Sequence, residues 1–190
     1  MSVAAILLAA GFSRRLGRDK QRVQLHGEML VERAVRIAVE AGLEPVVAVV
    51  READLIAPLQ ALGALVVLNR KALEGMATSI HAGLRTLPAA GVEGAVLMTC
   101  DQVMLTAAHL QSLSRVRDQI TGSRYAKRIG VPAYFPAATF GSLSQLQGDE
   151  GARSLLREAA AVVNEDLALD IDTEDDLLRA RTLLEAESRS

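Results

Sequence analysis

One cysteine, Cys100, stands in 190 residues, so no disulfide can form within the chain, and this usage fits a reducing compartment. There is no tryptophan, and three Phe and two Tyr bring the aromatic content to only 3%. That scarcity excludes a platform on which nucleic-acid bases stack. Charge of one sign is missing too. Twenty-one Lys and Arg against twenty-three Asp and Glu leave a formal net charge of -2, without the basic excess of a nucleic-acid binder. No apolar run approaches the ~20 residues of a membrane span. The apolar residues 3–10 are followed, not preceded, by basic residues, the reverse of a signal peptide. The expectation is a soluble, cytoplasmic protein with neither nucleic acid nor membrane as partner.

What is present is aliphatic: hydrophobic residues make up 50% of the chain. A chain of this length suits one domain, taken as residues 1–190, and should bury roughly 70% of its unfolded surface. Short aliphatic runs alternate with helical spacing. Strands are expected at 3–8, 45–50, 64–68 and 95–99, with helices at 29–41, 54–62, 77–87 and from 106 to about 117. Gly42 should close the first helix and Thr106 should cap the fourth. Residues 133–135 read as an edge strand, 161–163 and 167–171 as short strands, and 148–160 as a loop entering a helix. Thr173 with Asp176 forms a capping-box pattern that opens the last helix. This alternation predicts an α/β, three-layer sandwich with a mostly parallel, Rossmann-like sheet. Ligands of such sheets sit beyond the carboxyl ends of the strands, so chemistry should be sought there.

At the first strand end, residues 8–20 read L-A-A-G-F-S-R-R-L-G-R-D-K. Small residues let a ligand approach the backbone, and exposed amides can cradle phosphate oxygens. Arg14, Arg15, Arg18 and Lys20 add positive charge. The loop is neither a Walker A loop nor a dinucleotide fingerprint, because the glycine spacing and the residues after Gly17 differ from both. At the fourth strand end stands Asp101, a carboxylate suited to Mg²⁺, which takes one or two carboxylates together with waters and phosphates. Its neighbour Cys100 reads better as a small buried hydrophobe than as a nucleophile. A third strand end carries Asp170 and Asp172, either of which could share a metal with Asp101. His26, His81 and His109 are isolated and suggest no Ser-His-Asp arrangement.

These residues together resemble the molybdenum-cofactor nucleotidyltransferase family, within the sugar-phosphate nucleotidyltransferases. The family signature L-A-A-G-x-S-x-R-x-G-x-x-K is matched at every fixed position from Leu8 to Lys20. The likeness continues through residues 74–80, 100–102, 130–132, 148–153 and 170–173, and so spans nearly the whole chain. Ala9-Ala10-Gly11 is similar to the CTP-using branch, whereas guanylyltransferases usually carry Gly at the position of Ala10. The block Gly148-Asp149-Glu150-Gly151-Ala152-Arg153 points to the same branch. The family commonly has Pro where Val103 stands, and often Gly near Lys127.

The resemblance implies the nucleotide-diphospho-sugar transferase fold. It also implies transfer of CMP from CTP to the terminal phosphate of molybdenum cofactor, with release of pyrophosphate. In that scheme Arg15 and Lys20 clamp the triphosphate, and Asp101 and Asp172 hold Mg²⁺. Leu8, Ala9, Ala10, Gly11, Ser13, Asn69, Gly75 and Ser79 face the nucleotide, and Asp149 and Arg153 the acceptor. A molybdenum hydroxylase would receive the product. Three other readings share these residues: a guanylyltransferase for the same cofactor, a sugar- or alditol-phosphate cytidylyltransferase, and a binding chaperone for the cofactor.

Overall fold

The computed structural model describes residues 2–12 and 16–187. In chain order the elements are β1 (Ser2–Ala9), β2 (Gln24–Leu25), β3 (Glu28–Met29), α1 (Leu30–Glu40), β4 (Val46–Val50), α2 (Ile56–Ala61), β5 (Leu65–Leu68), α3 (Met76–Thr86), β6 (Val92–Met98), α4 (Ala107–Leu113), β7 (Thr121–Tyr125), β8 (Arg128–Pro136), α5 (Phe140–Leu143), β9 (Ala160–Val163) and α6 (Glu174–Glu187). Seven strands form one sheet in the order β5-β4-β1-β6-β8-β7-β9, and β2 and β3 make a small separate hairpin. Only β8 runs against the others: it is antiparallel to β6 and β7, while β9 is parallel to β7.

The aliphatic run of β1 is explained by burial on both faces. Val3, Ala5, Leu7 and Ala9 join a core with α1, α2, α4 and α6. Ala4, Ile6, Leu8 and Ala10 join the opposite core with α3 and α5. The expected three-layer α/β sandwich with a mostly parallel sheet is therefore present. Strands β1 and β4 pair from Ala5–Val46 to Ala9–Val50, and β1 and β6 from Val3–Gly94 to Leu7–Met98. This register brings the carboxyl ends of β1, β4 and β6 to one rim. Among the described residues no helix is long and apolar enough to cross a membrane.

Helix boundaries follow local chemistry. Gly42, at φ 73°, follows the end of α1. The Thr106 hydroxyl accepts the His109 amide at 3.2 Å. Thr173 and Asp176 exchange side-chain and backbone hydrogen bonds at 2.8 and 3.2 Å, the reciprocal cap that the sequence suggests.

Three expectations change, and one unassigned stretch proves to be a strand. Residues 133–135 belong to the interior strand β8, which is nine residues long. Its Pro132 does not interrupt pairing, because the register with β7 shifts there: Ala133 pairs with Gly122 and Gly130 with Ser123, leaving Val131 and Pro132 in a bulge. Residues 121–125, which have no clear alternation, form β7. Residues 167–171 are not a strand. The chain makes a 3-10 turn at Glu165–Ala168 and then a single bridge between Asp170 and Gln102. Instead of a full helix after Gly148, only a 3-10 turn forms at Arg153–Leu156.

Candidate active site

Lys20 stands in a 3-10 turn, Lys20–Arg22, at the far end of the loop that leaves β1. Its ammonium donates to Asp172 Oδ1 at 2.6 Å and Asp101 Oδ2 at 3.1 Å. Burial pulls the pKa of this lysine down, but the charge of Asp101 and the hydrogen bonds to both carboxylates outweigh it, and the net shift is upward. Asp101 follows β6, with its other oxygen accepting from Thr99 Oγ1 at 2.6 Å. Asp172 precedes α6, where its amide donates to the Asp176 carboxylate at 3.1 Å. Lys20 thus shows that two carboxylates, one after β6 and one before α6, converge on one cation.

Two clefts meet at this pair. The first, about 330 Å³, is lined by Leu8, Gly11, Phe12, Leu16, Lys20 and Gln21 from the β1 side, and by Thr99, Cys100, Asp101 and Asp172. The second, about 750 Å³, lies on the β8 side, where Arg128, Arg153, Arg157, Asp149 and Asp170 line it. Met76, Thr99, Asp101 and Asp172 border both. A group bound in one cleft can therefore meet a group bound in the other beside Asp101 and Asp172.

The neck of the β1 loop is held by Gln21, whose Nε2 donates to the carbonyls of Ala9 and Gly11 at 3.0 and 2.9 Å. Ala9 and Ala10 are fully buried behind Leu8 and Gly11. Ser13, Arg14 and Arg15 lie outside the described residues. Asn69 and Ser79 line neither cleft. The Asn69 amide donates to Thr78 Oγ1 and Ser79 Oγ at 2.8 and 2.9 Å, and its oxygen accepts the Lys71 amide at 2.9 Å. Gly75, at φ 115°, packs so tightly on Gly148 that a Cβ there would fall on the Gly148 carbonyl. The amide of Ala77 also donates to Gly148 at 3.0 Å. The loop carrying Asp149 and Arg153 is in this way seated on the start of α3.

Of the two candidate carboxylates after residue 169, Asp172 is the one that shares Lys20 with Asp101. Asp170 turns toward Arg128, 3.9 Å away. Burial, and then the charge of Asp101, push its carboxyl up to about 7. The thiol of Cys100 is buried, and desolvation pushes it up to about 12, so it is no nucleophile at neutral pH. His109 is buried on α4, with Nε2 2.8 Å from Ser123 Oγ. Gln21, Thr99, Met76, Arg128 and Arg157 are site residues that sequence reasoning did not assign. Gln21 follows the signature lysine directly, and that adjacency was its only local mark.

Residues 5–163 match the MobA-like NTP transferase domain. The chain belongs to that family. It is 32% identical over 169 residues to the probable molybdenum cofactor guanylyltransferase of Opitutus terrae, covering 86% of this chain and 81% of the relative. It is 30% identical over 164 residues to the purine catabolism protein PucB of Bacillus subtilis, covering 80% and 79%. The crystal structure of Rv0371c from Mycobacterium tuberculosis superposes with a TM-score of 0.78 at 26% identity, over 96% of this chain and 99% of the other. That protein has also been solved with manganese. This chain is accordingly an enzyme, a nucleotidyltransferase, and its paired clefts suit transfer between two bound substrates.

The carboxylate pair fits a divalent metal by its donor set. Asp101 Oδ2 and Asp172 Oδ1 both lie within hydrogen-bond distance of the Lys20 ammonium, and Mg²⁺ takes one or two such carboxylates completed by phosphates and waters. Among the described residues no group of three or more His, Cys, Asp or Glu is placed to hold a metal without such help.

Proposed function

We propose that this enzyme transfers CMP from CTP to the terminal phosphate of molybdenum cofactor, with Mg²⁺ held by Asp101 and Asp172. A phosphate oxygen of the acceptor forms a bond to the α-phosphorus while the bond to the bridging oxygen breaks, and pyrophosphate leaves with that electron pair. Catalysis of this kind is positioning and charge neutralisation, with no covalent nucleophile. The observation that carries the reading is the meeting of the two clefts at Lys20, Asp101 and Asp172. When bound, the metal would neutralise charge on the triphosphate.

The first cleft takes the nucleotide. Leu8, Gly11 and Ser13 approach the base and ribose, Ala9 and Ala10 back them as small buried residues, and Arg15 and Lys20 grip the phosphates. Asn69 and Ser79 shape this side from behind, since their polar atoms bond to one another, and Gly75 joins it to the loop of the second cleft by packing on Gly148. The second cleft takes the acceptor. Asp149 and Arg153 line it with Arg128 and Arg157, and guanidinium groups suit phosphate oxyanions. The final helix packs Leu177, Ala180 and Leu184 into the same core as β1, which supports one domain over residues 1–190. The enzyme would act in the cytoplasm and hand its product to a molybdenum hydroxylase.

The likeness to a protein named for guanylyl transfer favours a second reading, GTP in place of CTP. The Ala at position 10 favours CTP. Pyrophosphate release with CTP, GTP and ATP, each offered with molybdenum cofactor and with sugar phosphates, separates them. Turnover with CTP and the cofactor is expected. Turnover with GTP alone would establish the second reading, and turnover only with a sugar phosphate would overturn the acceptor. Asp101→Ala should lower the rate by at least ~100-fold in a folded protein, and unchanged turnover would remove Asp101 from the site.

A further inference from the structure

The residue that follows β4 lines neither cleft, yet it touches one residue that does and the chain neighbour of another. Arg51 lays its guanidinium over the ring of Phe12, 4.2 Å from the centroid. Its Nη2 donates to Asp19 Oδ1 at 2.8 Å, and its Nε to Glu52 at 2.7 Å. Phe12 lines the first cleft, and Asp19 directly precedes Lys20, which lines it as well. Asp19 also lies 3.6 Å from Arg22, which grips Asp54 through two hydrogen bonds at 2.6 and 2.7 Å. Glu52, Arg51, Asp19, Arg22 and Asp54 thus alternate in charge around the turn that carries Lys20.

We infer that Arg51 is a positioning residue for the nucleotide cleft: it holds Phe12 on one side of the β1 loop and the Asp19–Lys20 turn on the other. Three features support this beyond an ordinary surface ion pair. The Arg51 side chain is only 22% exposed. Its Nη1 is buried and makes no hydrogen bond among the described residues, a desolvation cost that a freely solvated pair would not carry. And one planar group meets two different needs, stacking on an aromatic face and donating in the plane to a carboxylate, a combination that lysine cannot reproduce. The register of β4 beside β1 makes the contact possible, because Val50 pairs with Ala9 and Arg51 follows immediately at the same rim.

The inference rests on the reading that the first cleft holds a nucleoside triphosphate. Its test is equilibrium binding of magnesium-CTP and magnesium-GTP by calorimetry to wild type, Arg51→Met, Arg51→Lys and Phe12→Leu, with KM for both substrates, kcat and melting temperature. Arg51→Met should weaken nucleotide binding and raise its KM about tenfold, while kcat and the KM of the acceptor change less than about twofold. Arg51→Lys should recover part of the loss through Asp19 but not the stacking on Phe12. Phe12→Leu should reproduce part of the loss. Combined with Arg51→Met it should add little, as expected for contacting groups. Unchanged nucleotide affinity in folded Arg51→Met, or a fall in kcat at unchanged affinity, would overturn the assignment. If Arg51→Met does not fold, the lysine and Phe12 variants decide in the same way. Wild-type protein that binds neither nucleotide would instead remove the reading beneath the inference, and the inference with it.

Discussion

Lys20 and Asp101 stand 81 positions apart in the chain, and Lys20 and Asp172 stand 152 apart, yet one ammonium joins all three. Lys20 and Asp101 were legible from their motifs, because a basic residue in a glycine-bearing loop and a carboxylate at a strand end are chemically expressive on their own, whereas residue chemistry left Asp172 and Asp170 as alternatives. Their partners were less legible. Gln21 is an ordinary polar residue in sequence and becomes a site element only because its amide reaches two carbonyls of the loop neck. His109 shows the opposite case, an isolated histidine without a catalytic role. It is buried, and desolvation holds its pKa below the ordinary 6.5. Ser123 Oγ donates to the Pro132 carbonyl at 2.6 Å, so the imidazole is left to donate from Nε2 to that oxygen. Burial, which penalises the charged imidazolium, favours the neutral ring in the folded state. The stability it contributes is complete above pH 6.5 and is lost as pH falls below 6.5 through the lowered folded-state value. The contribution of His109 to the urea midpoint, taken as the difference between wild type and His109→Gln, which has no titrating group, should fall as pH drops below 6.5.

At the level of elements, strands buried on both faces were the most legible part of the fold. Continuous aliphatic runs such as β1 and β4 have no other soluble use. β7 and β8 were obscure for a physical reason: polar and small residues interrupt their alternation, and a bulge at Val131 and Pro132 breaks the register that periodicity would display. Their connection is also unusual. Ala126 and Lys127 both have positive φ, 46° and 61°, as a two-residue type I′ turn requires, although Asn-Gly is the pair that adopts it at least cost. Glu165 compensates in part by accepting the Ala126 amide at 3.0 Å. Replacing Ala126 with Asn and Lys127 with Gly should stabilise the fold by about 1 kcal/mol, read as a rise in the chemical denaturation midpoint. The Gly expected near Lys127 from the family pattern is the residue this backbone would favour.

Across the whole molecule, the two clefts are coupled through backbone packing rather than through a shared side chain alone. Gly75 closes the segment after β5, and Gly148 opens the loop bearing Asp149 and Arg153. No side chain fits between them. Gly75→Ala combines a strained φ with that clash and should cost about 2–3 kcal/mol of stability. It should also raise the KM of the acceptor more than that of the nucleotide, because the displaced loop forms a wall of the second cleft. An equal effect on both would mean that the junction supports the fold without favouring either cleft. The sequence by itself determined the aliphatic core, the alternation that yields a mostly parallel sheet, and the signature loop and Asp101, because propensity, periodicity and ligand chemistry are local properties. Only the tertiary structure decided that Asp172 rather than Asp170 shares Lys20, that Asn69 and Ser79 spend their polar atoms on each other, and that Arg51 reaches Phe12 and Asp19. Those outcomes depend on strand order and register, which place residues far apart in the chain at one rim and settle which groups lie within hydrogen-bonding distance.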